Sequence, residues 1–122
     1  MPGSVRALRG ATTVEEDDEQ QITERVQELL TEVLARNALE LDDVISVIFT
    51  ATPDIVSMFP AAAARQIGFG AVPLLCASEI AVPGAMPRCI RVLLHVTTDR
   101  APADLRHVYL HGAEVLRDDL PV

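Results

Sequence analysis

RCIRVLLHV, residues 88–96, alternates between two kinds of position. Every second residue is a branched aliphatic one: Ile90, Val92, Leu94 and Val96. This period of two predicts a β-strand with one buried face. The other face carries Arg91 between Cys89 and Leu93, and an arginine cannot escape burial by losing its proton. Arg91 therefore needs a partner on that face.

A long amphipathic helix is predicted in the first third of the chain. Apolar residues recur with helical spacing over residues 22–34. Thr13 and Glu16 form a capping-box pattern that predicts the start of the helix, and we expect it to end near Asn37. We interpret the acidic run over 15–19 as a solvated first turn, not as a metal site.

Shorter elements are predicted along the rest of the chain. They are strands at 4–11, 44–49, 72–80 and 88–98, a short helix over 60–68, and a closing strand with a helical turn after residue 105. This order predicts an α+β fold, a mixed β-sheet packed with one long and one short helix. One helix cannot cover both faces of so apolar a sheet, and the strand at 44–49 looks covered on both. We therefore expect the other face to be buried against copies of the same chain, in a homo-oligomer.

Composition narrows the possible classes of function. The 122 residues suit one domain, 1–122, with about residues 118–122 as a mobile tail. The formal net charge of −8 argues against nucleic acid or an anionic membrane as a partner. All ten basic residues are arginine, which excludes Schiff-base and P-loop lysine chemistry. An anion site in this chain must use guanidinium groups and backbone N–H groups.

Targeting and cysteine patterns predict a cytoplasmic protein. Residues 1–10 lack the apolar core of a signal peptide, and no run approaches the ~20 apolar residues of a membrane span. Cys76 and Cys89 lie in apolar segments, which fits reduced thiols better than a disulfide.

Two histidines raise the question of a metal site. His107 and His111 have the i,i+4 spacing that binds zinc on a helix, but residues 108–110 between them favour a strand, which separates the two side chains. We interpret both as structural or surface histidines and predict no metal. The common nucleotide, zinc and hydrolase motifs are absent from the sequence.

Six blocks give the chain a recognisable family pattern. They are LRGATTVE (8–15), ATPD (51–54), FPAAAAR (59–65), CASE (76–79), CIRV (89–92) and RHVYLHGAEVLR (106–117). In order and spacing they resemble the monofunctional AroH-class chorismate mutases, over about residues 5–121. The resemblance implies a trimeric pseudo-α/β-barrel with active sites between subunits. It also implies an isomerase that converts chorismate to prephenate by a [3,3] rearrangement without a cofactor, in phenylalanine and tyrosine biosynthesis.

The resemblance also implies roles for individual residues. Arg91 would lie beside the breaking ether oxygen, and Glu79 would accept a hydrogen bond from the ring hydroxyl of the substrate. Substrate contacts are implied for Arg9, Leu75, Cys76, Tyr109, Phe59, Arg65 and Arg117. Among these, Arg9 and Tyr109 would hold carboxylates and Arg117 would lie in a terminal segment that closes over the site. Two departures from the family stand out, Ala62 where lysine is frequent and Leu75 where threonine is frequent.

The alternation over 74–79 leaves one structural question open. It places Cys76 and Glu79 on opposite faces, so both line one pocket only if the strand ends or bulges near Ser78. In the empty site we expect Glu79 to be the protein neighbour of Arg91. Two alternatives remain beside the chorismate mutase hypothesis: a deaminase of reactive enamines or imines in a similar trimer, and a non-catalytic trimeric metabolite-binding protein.

Overall fold

A five-stranded mixed β-sheet organises the chain in a computed structural model that describes residues 3–119, with side chains described as far as residue 116. Its strands are β1 (Ser4–Thr13), β2 (Val44–Ala51), β3 (Leu74–Ser78), β4 (Cys89–Thr98) and β5 (Val108–Tyr109). Their order is β3-β2-β4-β1-β5. The central strand β4 pairs antiparallel with β1 and β2, whereas the edge strands pair parallel with their neighbours. The predicted mixed α+β fold is confirmed, and its alternating segment is the central strand.

Two helices cover one face of this sheet. They are α1 (Glu19–Arg36) and α2 (Pro60–Arg65), and short 3₁₀ turns occur at Leu41–Asp43, Phe69–Ala71, Pro102–Asp104 and His111–Asp119. The apolar stripe of α1 and the inward residues of the strands form one buried core. Gly10 allows the close approach of α1, because a Cβ on Gly10 would lie 3.2 Å from Leu29 Cδ1. No helix in the described part of the chain is long and apolar enough to cross a membrane.

The predicted start of α1 is wrong. Thr13 belongs to β1, where it pairs with Cys89, so its backbone is committed to the sheet. The helix begins at Glu19, and Asp18 is its N-cap: a carboxylate oxygen of Asp18 accepts the Gln21 N–H at 2.8 Å. The predicted end is confirmed, since the C-cap is Asn37. At Thr13, strand pairing with β4 therefore determines the backbone conformation, and the local capping pattern does not.

The acidic run before α1 does more than begin a helix. The two carboxylate oxygens of Asp17 accept the N–H groups of Val56 and Ser57, both at 3.1 Å, and the Ser57 hydroxyl donates to the Asp17 carbonyl at 2.7 Å. These contacts fix the loop that leads to Phe59 and α2.

The face of the sheet away from the helices, here called the open face, is only partly covered within one chain. At one end the C-terminal segment packs on it, and Ala11, Cys89 and Ala113 are buried there. Elsewhere Leu75 is 61% exposed. The expectation that β2 is covered on both faces is therefore not met inside a single chain, because neither helix reaches this side. Of the predicted tail, residues 120–122 lie outside the described residues.

Candidate active site

An ion pair lies on the open face at the centre of the sheet. Arg91 Nε of β4 is 3.2 Å from Glu79 Oε2, and the two side chains are 44% and 19% exposed. The expectation that Glu79 is the neighbour of Arg91 is confirmed. Both charges remain accessible to a ligand that approaches from the open face.

Glu79 reaches this position because it directly follows β3. The strand ends at Ser78, and the Glu79 N–H donates to the Ala51 carbonyl of β2 at 2.9 Å. Cys76 packs instead against the core on the helix-covered side. The strand β3 therefore does end at Ser78, which was the condition for Cys76 and Glu79 to line one pocket. Even so, within one chain their side chains lie on opposite faces of the sheet.

One row of paired residues crosses the sheet at this level. Tyr109 of β5 pairs with Ala11 of β1, Ala11 pairs with Arg91 of β4, and Arg91 pairs with Thr50 of β2. Neighbouring strands lie about 4.8 Å apart, so the backbones of Tyr109 and Arg91 are about 10 Å apart, with only a small alanine between them. The row brings a phenol, a guanidinium and a hydroxyl to the same face.

Arg9 lies on the open face two residues before Ala11 on β1, where it pairs with Leu93. Its side chain is exposed, and its backbone N–H donates to Nδ1 of His107 at 2.9 Å. Burial lowers the pKa of His107 below its ordinary value, and the nearby guanidinium of Arg9 lowers it further. The neutral ring can accept this hydrogen bond. It continues the contacts between β1 and β5 by one residue, from Gly10 and Val108 to Arg9 and His107.

The second histidine serves another contact. His111 Nε2 lies 2.7 Å from Glu28 Oε1 of α1, so the two histidines of the i,i+4 pair have different partners. Both contacts are to protein groups, which agrees with the interpretation of the two as structural or surface histidines. Across the described part of the chain, no group of three or more histidine, cysteine, aspartate and glutamate side chains is placed to hold a metal ion.

A groove of about 570 Å³ lies beside the edge strand β3, and Phe59 and Cys76 line it. Phe59 is 72% exposed at its rim. Ala62, one of the two departures noted in the sequence, forms part of the wall and carries no charge there. Leu75 points to the open face next to β2, and Arg65 is exposed at the end of α2. Apart from Arg65 and Arg117, the predicted site residues thus fall into two groups: Arg9, Leu75, Glu79, Arg91 and Tyr109 on the open face, and Phe59 and Cys76 in the groove.

Known proteins show the same pattern over nearly the whole chain. The family model for chorismate mutase type I matches residues 5–120. The chain belongs to this family. Chorismate mutase AroH of Thermus thermophilus is 50% identical over 117 residues, 95% of this chain and 96% of that protein. Chorismate mutase AroH of Bacillus subtilis is 42% identical over 117 residues, 95% of this chain and 92% of that protein.

A solved structure agrees with these sequence matches. Chorismate mutase from Clostridium thermocellum superimposes with a TM-score of 0.88 at 49% identity, over 90% of this chain and 98% of that chain. Membership of the chorismate mutase family identifies the chain as an isomerase, as the sequence predicts. The matches support neither a deaminase nor a non-catalytic metabolite-binding protein.

The start of β4 in this family member is held by Asp54. Its two carboxylate oxygens accept the Arg88 N–H at 3.2 and 2.9 Å, and one accepts the Thr52 hydroxyl at 2.5 Å. Partial burial raises the pKa of Asp54, but these hydrogen bonds and the Arg88 charge outweigh it and hold the pKa below its usual value. Arg88 has a φ of +48°, a left-handed conformation that these bonds help to maintain.

Three residues around the site were not predicted from the sequence. They are Thr50, which contacts Glu79, Asp54, which holds the start of β4, and His107, which accepts the Arg9 N–H. Alternation along β2 places Thr50 on the face opposite Phe49, which was a usable signal, but its contact with Glu79 depends on the strand order. Arg117 lies in the last 3₁₀ turn, and its side chain falls outside the described residues.

Proposed function

We propose that this chorismate mutase converts chorismate to prephenate at the Arg91–Glu79 pair, with Arg91 and Glu79 as its catalytic residues. The observation that carries the proposal is the pair itself: two opposite charges 3.2 Å apart and both partly open to solvent, with Arg91 on the central strand β4 and Glu79 directly after the edge strand β3. A bound substrate replaces solvent at these two groups.

The reaction places unusual demands on a protein. A pericyclic rearrangement needs no nucleophile, no cofactor and no net proton transfer. It needs a compact conformer in which the two reacting carbons lie close together, and holding that conformer can supply a large part of the rate enhancement. It also needs groups that bind the charge distribution of the transition state more tightly than that of the substrate.

Arg91 suits the charge that develops on the ether oxygen. The C–O bond breaks ahead of C–C bond formation, so this oxygen becomes more negative in the transition state. A guanidinium fixed in advance stabilises that charge without reorganisation, and one such donor contributes about 3–4 kcal/mol. Arg91 meets the requirement because its strand is paired on both sides and buried on the opposite face.

Glu79 suits the other side of the substrate. Its carboxylate can accept a hydrogen bond from the ring hydroxyl and can balance the positive charge that develops on the ring. In the empty site the Arg91 guanidinium lies 3.2 Å from this carboxylate and balances its charge. The pair thus addresses both ends of the charge separation.

Arg9 and Tyr109 supply donors for the substrate carboxylates. Arginine offers a planar fork of N–H donors that matches a carboxylate, as a lysine in the same place would not. Tyr109 pairs with Ala11 in the same row of the sheet as Arg91, and Arg9 precedes that row by two residues on β1. Binding both carboxylates restrains the substrate in its compact form.

The separation of the two groups of site residues supports a homotrimer. Phe59 and Cys76 line a groove beside β3, whereas Arg91 and Glu79 lie on the open face. In a pseudo-α/β-barrel of three chains, the groove of one subunit would meet the open face of the next and complete the site. Exposed apolar residues such as Leu75 on the open face would then be buried between subunits.

Further assignments follow from the same arrangement. Arg65 and Arg117 would add positive charge around the entrance, and the whole chain, 1–122, would act as one domain. Cys76 and Cys89 are free thiols, which fits the reducing cytoplasm as the place of action. The reaction belongs to phenylalanine and tyrosine biosynthesis.

One assay with the purified protein tests this proposal. In buffer with a metal chelator and no added cofactor, we expect chorismate absorbance to fall while prephenate accumulates. Light scattering on the same sample should give the mass of three chains. Folded trimer without turnover would overturn the catalytic proposal, and an active monomer would overturn the shared site.

A further inference from the structure

We propose that Thr50 is a positioning residue that holds the Glu79 carboxylate so that one chosen oxygen faces the substrate. The inference rests on the proposed catalytic role of Glu79 and adds a residue to it. Thr50 lies on β2, paired with Arg91 on one side and with Ala77 on the other. It is half-buried between the two catalytic groups.

The contact that carries the proposal is short and direct. The Thr50 hydroxyl donates to Glu79 Oε2 at 2.7 Å. Arg91 Nε approaches the same oxygen at 3.2 Å. A hydroxyl donor and a guanidinium from neighbouring strands therefore converge on one carboxylate oxygen. Because threonine is branched at Cβ and its backbone is paired on both sides, its hydroxyl has few alternative positions.

This convergence distinguishes the two oxygens of Glu79. Within residues 3–116, Oε2 accepts the Thr50 hydroxyl and is the oxygen that Arg91 Nε approaches, whereas Oε1 accepts no hydrogen bond. A carboxylate can accept at both oxygens, so Oε1 keeps its full capacity for a donor. We assign Oε1 as the atom that accepts the ring hydroxyl of chorismate. Arg91 approaches Glu79 through Nε, and we assign its terminal Nη groups to the ether oxygen.

Thr50 also has a purely structural explanation that an experiment can separate. Threonine is favoured in β-strands, and its methyl group contributes to packing. Valine keeps this branched shape and strand preference but lacks the hydroxyl, whereas serine keeps the hydroxyl but lacks the methyl group. A positioning role predicts that Thr50→Val is the damaging change. A structural role predicts that Thr50→Ser is.

The test compares kcat, KM and thermal stability of the two variants. We expect Thr50→Val to lower kcat about tenfold or more with little change in Tm, because a hydrogen bond to a charged group is lost. Thr50→Ser should keep kcat within about threefold, even with a slightly lower Tm. Thr97→Val, a hydroxyl removed from the far end of β4, is the matched control and should leave kcat unchanged. If Thr50→Val does not fold, Thr50→Ala replaces it in the same comparison with serine.

Measuring the same substitution in a Glu79→Ala variant separates the positioning role of Thr50 from the proposed role of Glu79. We expect Glu79→Ala to lose most turnover and Thr50→Val to cause no further loss in that variant, because their effects share one interaction. Full activity of Glu79→Ala would overturn the proposed role of Glu79. Loss of activity in Glu79→Ala, with wild-type kcat in Thr50→Val, would overturn only the positioning role. Equal loss in the serine and valine variants would overturn it as well.

Discussion

The two faces of β4 differ in what covers them. The four aliphatic residues that face the helices are 0–3% exposed. Arg91, between two of them on the opposite face, keeps 44% of its side chain accessible. Close packing on one face holds the strand in place, so the guanidinium on the other face is aimed before a substrate binds. Stability and chemistry are divided between alternate residues of one segment.

Among the substitutions that test this difference between the two faces, we expect the largest effect from replacing Arg91, and we expect it on kcat. Arg91→Ala should lower kcat at least about 10²–10³-fold, since a fixed donor to the developing charge is lost. Arg91→Lys should also lose most activity because a point charge on a flexible stem does not reproduce the fork. Steady-state kinetics and circular dichroism measure both properties. Arg100→Ala, an exposed arginine just beyond β4, is the control and should behave as wild type. Retained activity in Arg91→Ala would refute the assignment.

The next effect concerns the covered face. Leu94→Ala should destabilise the fold by about 2–5 kcal/mol, because it leaves a cavity at a fully buried position. Leu93→Ala, one residue away on the open face, should cost the single chain much less and should instead weaken association of the subunits. Urea unfolding at fixed protein concentration, with light scattering, separates the two effects. Equal destabilisation by both variants would contradict the division between faces.

A smaller effect is expected at the start of β4, where Asp54 holds the backbone. Its pKa is lowered in the folded chain, so its contribution to stability is present above the usual value of 3.8 and is lost as the pH falls through the lowered pKa. Asp54→Asn should therefore be less stable than wild type near neutral pH, by about 1 kcal/mol. Unfolding curves should show this difference shrinking in acid. A difference that stays constant with pH would indicate that the charge of Asp54 is not involved.

The smallest expected effect concerns Cys89, which lies on the open face of β4 but is covered there by the C-terminal segment. Burial raises the pKa of its thiol to about 11. At about pH 8 the reactive thiolate is then about 10⁻³ of the total. In Cys76→Ser, a thiol reagent should label the folded protein slowly and the unfolded protein rapidly. Rapid labelling of the folded variant would show that the segment does not protect Cys89.

Much of the fold was predictable because burial leaves a local period in the sequence. The alternation over residues 88–96, the helical repeat over 22–34 and the proline at the start of α2 each reflect which side of an element is covered. The start of α1 was not predictable in this way. A capping pattern at Thr13 competed with strand pairing to Cys89, and pairing depends on a partner 76 positions away.

The sequence by itself determined that Arg91 would lie on a strand face opposite a buried one and that it would need a partner. Family resemblance then named Glu79. Only the tertiary structure decided which atoms meet, namely that Thr50 and Arg91 converge on Oε2 of Glu79, that His107 supports Arg9, and that Cys76 faces the other way. The physical reason is that periodicity records the burial of each residue, whereas contacts between elements depend on strand order and register, which no local pattern contains.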